Sequence, residues 1–219
     1  MSTVRNEIAD DVAARAQVYG LLATIFRAEP EEAFLDKIKA PRFSGVLNDL
    51  DVKLGDEFYT VPSSQLVEDL AIEYTKLFVG PGSHISPHES IFIEAEAGSG
   101  GLWGAVTVKV KKFIETAGFD YTPEFTGMPD HISAEMEFMQ KLATTEAEKR
   151  AMGETKQADW CLGVQKRFLD DHLSRWVPEF CDQVIEQSTM RFYGEMAALT
   201  KAFVTYDKDF LEEKLRMAA

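Results

Sequence analysis

Cysteine is almost missing from this chain. Cys161 and Cys181 are the only two among 219 residues, and neither belongs to a C-x-x-C or zinc-ribbon spacing. A disulfide scaffold and a thiolate zinc site are thereby excluded as organising features, and a small buried thiol is the expected state of each. Positive charge is scarce too. The 23 Lys and Arg stand against 37 Asp and Glu, a net charge of −14. Such a charge repels phosphate backbones and anionic lipid surfaces, so no nucleic acid is expected as a partner, whereas a cationic peptide is attracted. No apolar stretch reaches the roughly 18 residues needed to cross a bilayer, so no stable membrane insertion is expected. The first twenty residues carry Glu7, Asp10 and Asp11 and lack the apolar run of a secretory signal, which makes a reducing cytoplasm the expected location. With 8 Pro and 14 Gly, thinly scattered, the chain is neither disordered nor fibrous, and its length suits one domain or a large domain with an appendage.

Strand alternation with a hairpin turn and fixed-period repeats are also missing. What recurs instead is helical spacing. Ile8, Val12, Ala16, Tyr19, Leu22 and Phe26 mark one stripe of a long first helix. Short helices follow around Pro30 and Pro41. After Pro62-Ser63-Ser64, the residues Leu66, Val67, Leu70, Tyr74, Leu77 and Phe78 line a helix that stops at Gly80-Pro81. Residues 79–101 lose the periodicity and read as a long loop punctuated by Gly80, Pro81, Gly82, Pro87, Gly98, Gly100 and Gly101, and loops of that length are commonly functional. Residues 103–117 fit both a strand and a helix, and helix is chosen, closed by Gly118. Residues 119–127 form a connection before a helix that begins near Pro129 and carries Ile132, Met136, Met139 and Leu142. The polar stretch 146–157 reads as a solvated connection, followed by a helical stripe from Trp160 to Leu169, a helix after Pro178, another through Phe192, Met196, Leu199 and Phe203, and a short tail with Phe210, Leu211 and Leu215. The predicted class is all-α: a bundle of eight to eleven helices, with residues 1–118 as an N-terminal part, 119–127 as a hinge and 128–219 as a C-terminal part, or all of it as one compact domain.

Chemistry-bearing constellations are few. Gly98-Ser99-Gly100-Gly101 has neither the lysine nor the preceding strand of a phosphate-binding loop. His84 and His88 are four apart, but Pro87 between them opposes the helix that would bring two imidazoles together. Asp130-His131 and Asp171-His172 pair a carboxylate with an imidazole in sequence, yet neighbours on a helix point about 100° apart. Asp130 at the amino end of a helix starting near Pro129 reads well as a helix-terminus carboxylate. No nucleophile pattern is visible.

Four segments nevertheless form a recognisable combination: residues 73–82 (EYTKLFVGPG), residues 87–92 (PHESIF), Met128-Pro129-Asp130-His131-Ile132 with Glu135 to Met139, and residues 168–180 (FLDDHLSRWVPEF). In order and spacing they resemble the TorD/DmsD/NarJ family of cytoplasmic molybdoenzyme maturation chaperones. The resemblance runs from about Leu66 to Phe203. It implies an all-helical fold, no catalytic turnover and no cofactor. It implies as partners the catalytic subunit of a molybdopterin oxidoreductase and its twin-arginine leader, held until cofactor insertion precedes export. It also implies a monomer, or a dimer exchanging helical halves. Carried over position by position, the family's peptide-binding patch falls on Tyr74, Leu77, Phe78, Gly80, Pro81, Pro87, Ser90, Asp130 and His131, with Leu77 and Phe78 on an apolar surface and Asp130 facing a leader arginine. Ser83-His84-Ile85-Ser86 stands where many relatives have a tryptophan-rich loop. The competing enzyme reading is a metal-dependent helical hydrolase using His84, His88, Asp130 and His131; a third reading is a helical adaptor without leader specificity.

Overall fold

A computed structural model describes residues 2–96, 103–122 and 126–218 of the chain. Gly98, Gly100 and Gly101 and the middle of the expected hinge, residues 123–125, lie outside them. The elements are α1 (Ser2–Arg27), α2 (Glu32–Lys39), α3 (Pro41–Asp49), α4 (Asp56–Thr60), α5 (Ser63–Tyr74), α6 (Glu89–Glu96), α7 (Ala105–Thr116), α8 (Ile132–Ala151), α9 (Thr155–Phe168), α10 (Ser174–Gln187) and α11 (Arg191–Ala218). Among the described residues there is no strand, only a single antiparallel bridge between His88 and His131.

The helical stripes become the core. Val12, Ala16, Tyr19, Leu22 and Phe26 of α1 are buried, and α1 packs along α8 more extensively than any other pair of helices pack together. α10 lies against α11 and α8 against α9. One continuous hydrophobic core joins Tyr19, Leu35 and Leu70 from the first half of the chain to Met139, Phe180 and Leu211 from the second. Residues 105–116 are helix, closed by Gly118 at φ +81° with its amide on Glu115 O at 2.9 Å; the left-handed conformation there is what glycine supplies. Both cysteines are free and buried.

Several boundaries differ from the sequence reading. The stretch 79–101 is not loop throughout, because Glu89–Glu96 is α6. α8 begins at Ile132 rather than Pro129 and runs through the first half of the expected polar connection to Ala151. Its polar residues are held inside: Glu146 is buried, accepting from Gln165 Nε2 at 2.7 Å and from Arg150. Pro178 sits within α10, not at its start, behind a π-helical turn, Leu169–Leu173, that joins α9 to α10 without a break. The supposed tail is the second half of the 28-residue α11. Another π turn, Thr75–Val79, the first of the two in chain order, ends the helix begun by α5.

Candidate functional site

Two short segments meet where the family-like motifs converge. The Glu89 amide donates to Asp130 O at 2.9 Å, and the Ile132 amide donates to Pro87 O at 2.9 Å. Across this bridge Asp130 Oδ2 accepts from the Ser90 amide at 3.1 Å. Asp130 is therefore a helix-terminus carboxylate, but for α6, forty residues earlier, and not for its own helix. His131 takes the local role: it is the N-cap of α8, its Nδ1 accepting from the Ser133 amide at 3.1 Å. One junction thus starts two helices, each offering exposed amides that need an acceptor. The His88 and His131 rings meet edge to face, centroids 4.9 Å apart. Burial pulls His131 down to about 4, with His88 and Arg27 adding to that direction and Asp130 opposing it. His88 is lowered as well, again by burial against Asp130.

Behind the junction lies a buried polar cluster. His172 Nδ1 is 2.8 Å from Glu89 Oε2, and Trp176 Nε1 donates to Glu135 Oε2 at 3.2 Å. Burial pushes the Glu135 carboxyl well above its ordinary range, the charges of Glu89 and Asp130 add to it, and the Trp176 hydrogen bond opposes it. A neutral acid is the form such a site favours.

The nine residues expected to bind peptide divide by depth. Tyr74 (6% exposed), Leu77 (2%), Phe78 (5%), Ser90 and Asp130 (0% each) are buried, as is Pro87. Leu77 and Phe78 are accordingly not an apolar surface. Phe78 packs on Phe26, Tyr74, Phe180 and Tyr193, and the Tyr74 hydroxyl donates to Phe26 O at 3.1 Å. Pro81 is exposed, and Gly80 and His131 are half-buried. Gly80 closes the first π turn, its amide 2.6 Å from Thr75 O. A Cβ there would lie 3.1 Å from the same oxygen, a tight contact that the turn would have to open by a few tenths of an ångström to accept. The apolar side chains that do reach solvent beside this turn are Ile72 and Val79, with Glu29 Oε1 accepting from Thr75 Oγ1 at 3.2 Å. Their seven-residue spacing, two helical turns on the face opposite the core stripe, was the available signal.

The residues of the hydrolase reading do not assemble into a metal centre. His84 is on an exposed loop, its Nδ1 3.3 Å from Gly82 O, while the Nδ1 atoms of His88 and His131 face Ser86 Oγ and Ser133 Oγ at 3.0 and 2.8 Å. Among the described residues no group of three or more His, Cys, Asp or Glu could hold a metal ion. That reading has no support in this arrangement.

The fold defines an all-helical protein whose family-like segments brace one junction between helices. The match to known proteins makes the class specific: the nitrate reductase delta subunit family covers residues 48–182, more than half of the chain, and the chain belongs to that family. Over 219 aligned residues it is 26% identical to the chaperone protein TorD of Shewanella sp. strain MR-4, covering 92% of this chain and 96% of that one. It is 22% identical to the chaperone protein TorD of Vibrio vulnificus strain YJ016, covering 90% and 94%. A crystal structure described as a redox enzyme maturation protein from Archaeoglobus fulgidus shares the fold at a TM-score of 0.54 and 21% identity, over 87% of this chain and 93% of that one.

Proposed function

We propose that this protein is a maturation chaperone, not an enzyme, that binds the twin-arginine leader of a molybdopterin-containing oxidoreductase subunit in the cytoplasm and holds the subunit for cofactor insertion before export. The observation that carries this reading is likeness to TorD chaperones over nine-tenths of the length of both chains, in a family whose matched segment includes every residue of the junction. The chemistry is consistent with it. A leader joins a cationic start to an apolar segment, and the surface around the first π turn offers Ile72, Val79 and Pro81 with the carboxylate of Glu29, on a chain of net charge −14. The nine patch residues then have two roles. Gly80, Pro81 and His131 are accessible to the peptide, and Tyr74, Leu77, Phe78, Pro87, Ser90 and Asp130 shape the ground beneath it.

Titration calorimetry with a synthetic leader tests this directly. Replacing its arginine pair by glutamines is expected to weaken binding about tenfold or more, the loss of roughly 1.5 to 3 kcal/mol of charge-assisted hydrogen bonding. Equal affinity for both peptides removes leader recognition. The Asp130→Asn variant separates shaping from contact: asparagine can still accept from the Ser90 amide, so a shaping role leaves leader affinity within about twofold. A tenfold loss in the folded variant would instead place the Asp130 charge on the leader.

A further inference from the structure

The cleft between α7 and the continuous α9–α10 rod has a character opposite to that of the rest of the chain. Its volume is about 690 Å3, within the range of ligand-sized sites, and Lys109, Lys112, Arg167 and Arg175 line it. Elsewhere many cations are spent on carboxylates: Lys111 on Glu115, Lys149 on Glu154, Lys166 on Asp170, Lys201 on Asp182 and Arg216 on Glu212. Among the described residues none of the four cleft cations is in an ion pair. Arg167 instead lies over the Phe113 ring at 5.9 Å, and Arg175 Nη1 reaches Asp171 O at 3.5 Å. Four cations without an ion-pair partner in one cleft of a −14 protein are a local attraction for negative charge that the composition as a whole opposes.

Their spacing says what kind of negative charge fits. Trp160, Val164, Arg167, Asp171 and Arg175 follow one another at intervals of four, three, four and four residues, a single stripe of the rod. Arg167 and Arg175 are eight residues, about two turns of the rod, apart, with the π turn Leu169–Leu173 between them and Asp171 midway in the row. A compact anion placed between the two guanidinium groups would face that carboxylate. A helix bearing carboxylates two turns apart with a cation between them would instead match the row charge for charge. Its apolar side would meet Trp160, 49% exposed, along with the half-buried Ile93. We propose that this cleft docks an acidic amphipathic helix of a partner polypeptide, at a place distinct from the leader surface beside the first π turn.

The probe is a labelled synthetic helical peptide with glutamates at i and i+8, lysine at i+4 and a leucine stripe, compared by fluorescence anisotropy with the same peptide carrying inverted charges. The expected result is a preference of about tenfold or more for the first peptide that fades as salt rises. In the Arg167→Glu/Arg175→Glu double variant that preference is expected to reverse while melting temperature and leader affinity stay as in the parent; Lys109→Glu/Lys112→Glu serves if the first pair fails to fold. Equal binding of the two peptides, or a preference that survives the double variant, overturns the proposal. Displacement of the peptide by millimolar pyrophosphate with the same arginine dependence makes the cleft a small-anion site and overturns it as well. Leader affinity read on the same preparations is independent of the cleft, so failure here and failure of the leader reading are told apart.

Discussion

Glu135 and His131 bias stability with pH in opposite directions, although both sit near the same junction. Glu135 has a folded pKa above its ordinary 4.5, so the folded state keeps a proton that the unfolded chain gives up. Its contribution is full below about pH 4.5 and is lost as pH rises through the folded value. Glu135→Gln keeps an acceptor for Trp176 and removes the ionisation, so at pH 8 it is expected to stabilise the protein by about 1 kcal/mol, a rise in melting temperature of about 2–4 °C for a chain of this size. Thermal unfolding at pH 5 and pH 8 checks it: a gain at pH 8 that shrinks toward pH 5 is expected, and no gain at either means the acid is ionised at no cost. His131 is lowered from 6.5 to about 4, so below pH 6.5 the unfolded chain binds a proton that the folded state refuses. Stability is therefore lost as pH falls from about 6.5 toward 4. His131→Asn retains an acceptor at the N-cap and has no proton to bind, so its stability is expected to fall less over that window. Denaturant titrations at pH 7 and pH 4.5 on parent and variant give the difference, and parallel losses would assign the acid limb to His88 and other groups.

At the scale of the element, two helices are started by carboxylates far away in the chain. Asp130 serves α6, and Glu73 serves α11: its Oε1 accepts from the Thr189 and Met190 amides at 2.5 and 2.8 Å and from Thr189 Oγ1 at 3.0 Å. Glu73 lies in α5 and is buried, so removing it leaves donors without partners and lets α11 fray at its first turn. Glu73→Ala is expected to cost about 1–3 kcal/mol. Urea unfolding measures the total, and hydrogen exchange accelerated at residues 191–194 ahead of the core locates it; unchanged exchange there would mean that water replaces the carboxylate. The π turns belong to this scale as well. Both occur inside family-like segments, Thr75–Val79 beside the exposed Ile72 and Pro81 and Leu169–Leu173 in the wall of the basic cleft, and such widened turns redirect the side chains that follow. Helical periodicity carried the stripe through them but gave no sign of the extra residue in the turn, since one insertion shifts the phase by less than the width of an apolar face.

For the whole molecule the decisive tie joins α1 to α11. Arg15 Nε and Nη2 donate to the two carboxylate oxygens of Asp207, with Nη2 2.8 Å from Oδ2 and 2.9 Å from Gln165 Oε1, and the Tyr19 hydroxyl donates to Asp207 Oδ2 at 2.6 Å. Glu146 completes the set, 3.9 Å from Arg15 Nη1. Four helices, α1, α8, α9 and α11, are therefore fixed in register by one buried polar network. Arg15→Ala leaves the Asp207 charge buried without a cation and is expected to cost about 3–5 kcal/mol, whereas the double variant Arg15→Met/Asp207→Leu is expected to recover most of that loss. Equilibrium unfolding of the three proteins checks it, and a double variant no better than the single one would show that the network, not the unpaired charge, carries the stability.

The sequence alone was enough for the helical class, for the stops at Gly80-Pro81 and Gly118, and for the acidic character. Periodicity, glycine conformation and net charge are properties of a residue and its near neighbours, and no fold is needed to evaluate them. It was also enough to pick out the segments that meet at the junction, because their combination is specific. It was not enough to say which face of those segments is covered. The stripe Tyr74, Leu77 and Phe78 reads the same whether a partner or the chain's own Phe26 and Phe180 lies against it, and the tertiary structure chose the latter. Nor did Asp130 reveal that its amide partner sits forty residues upstream, or Glu73 that its partners sit 116 and 117 residues on. A backbone N–H carries no side-chain signature, so the identity of a carboxylate's partner exists only once packing has brought a helix end to it.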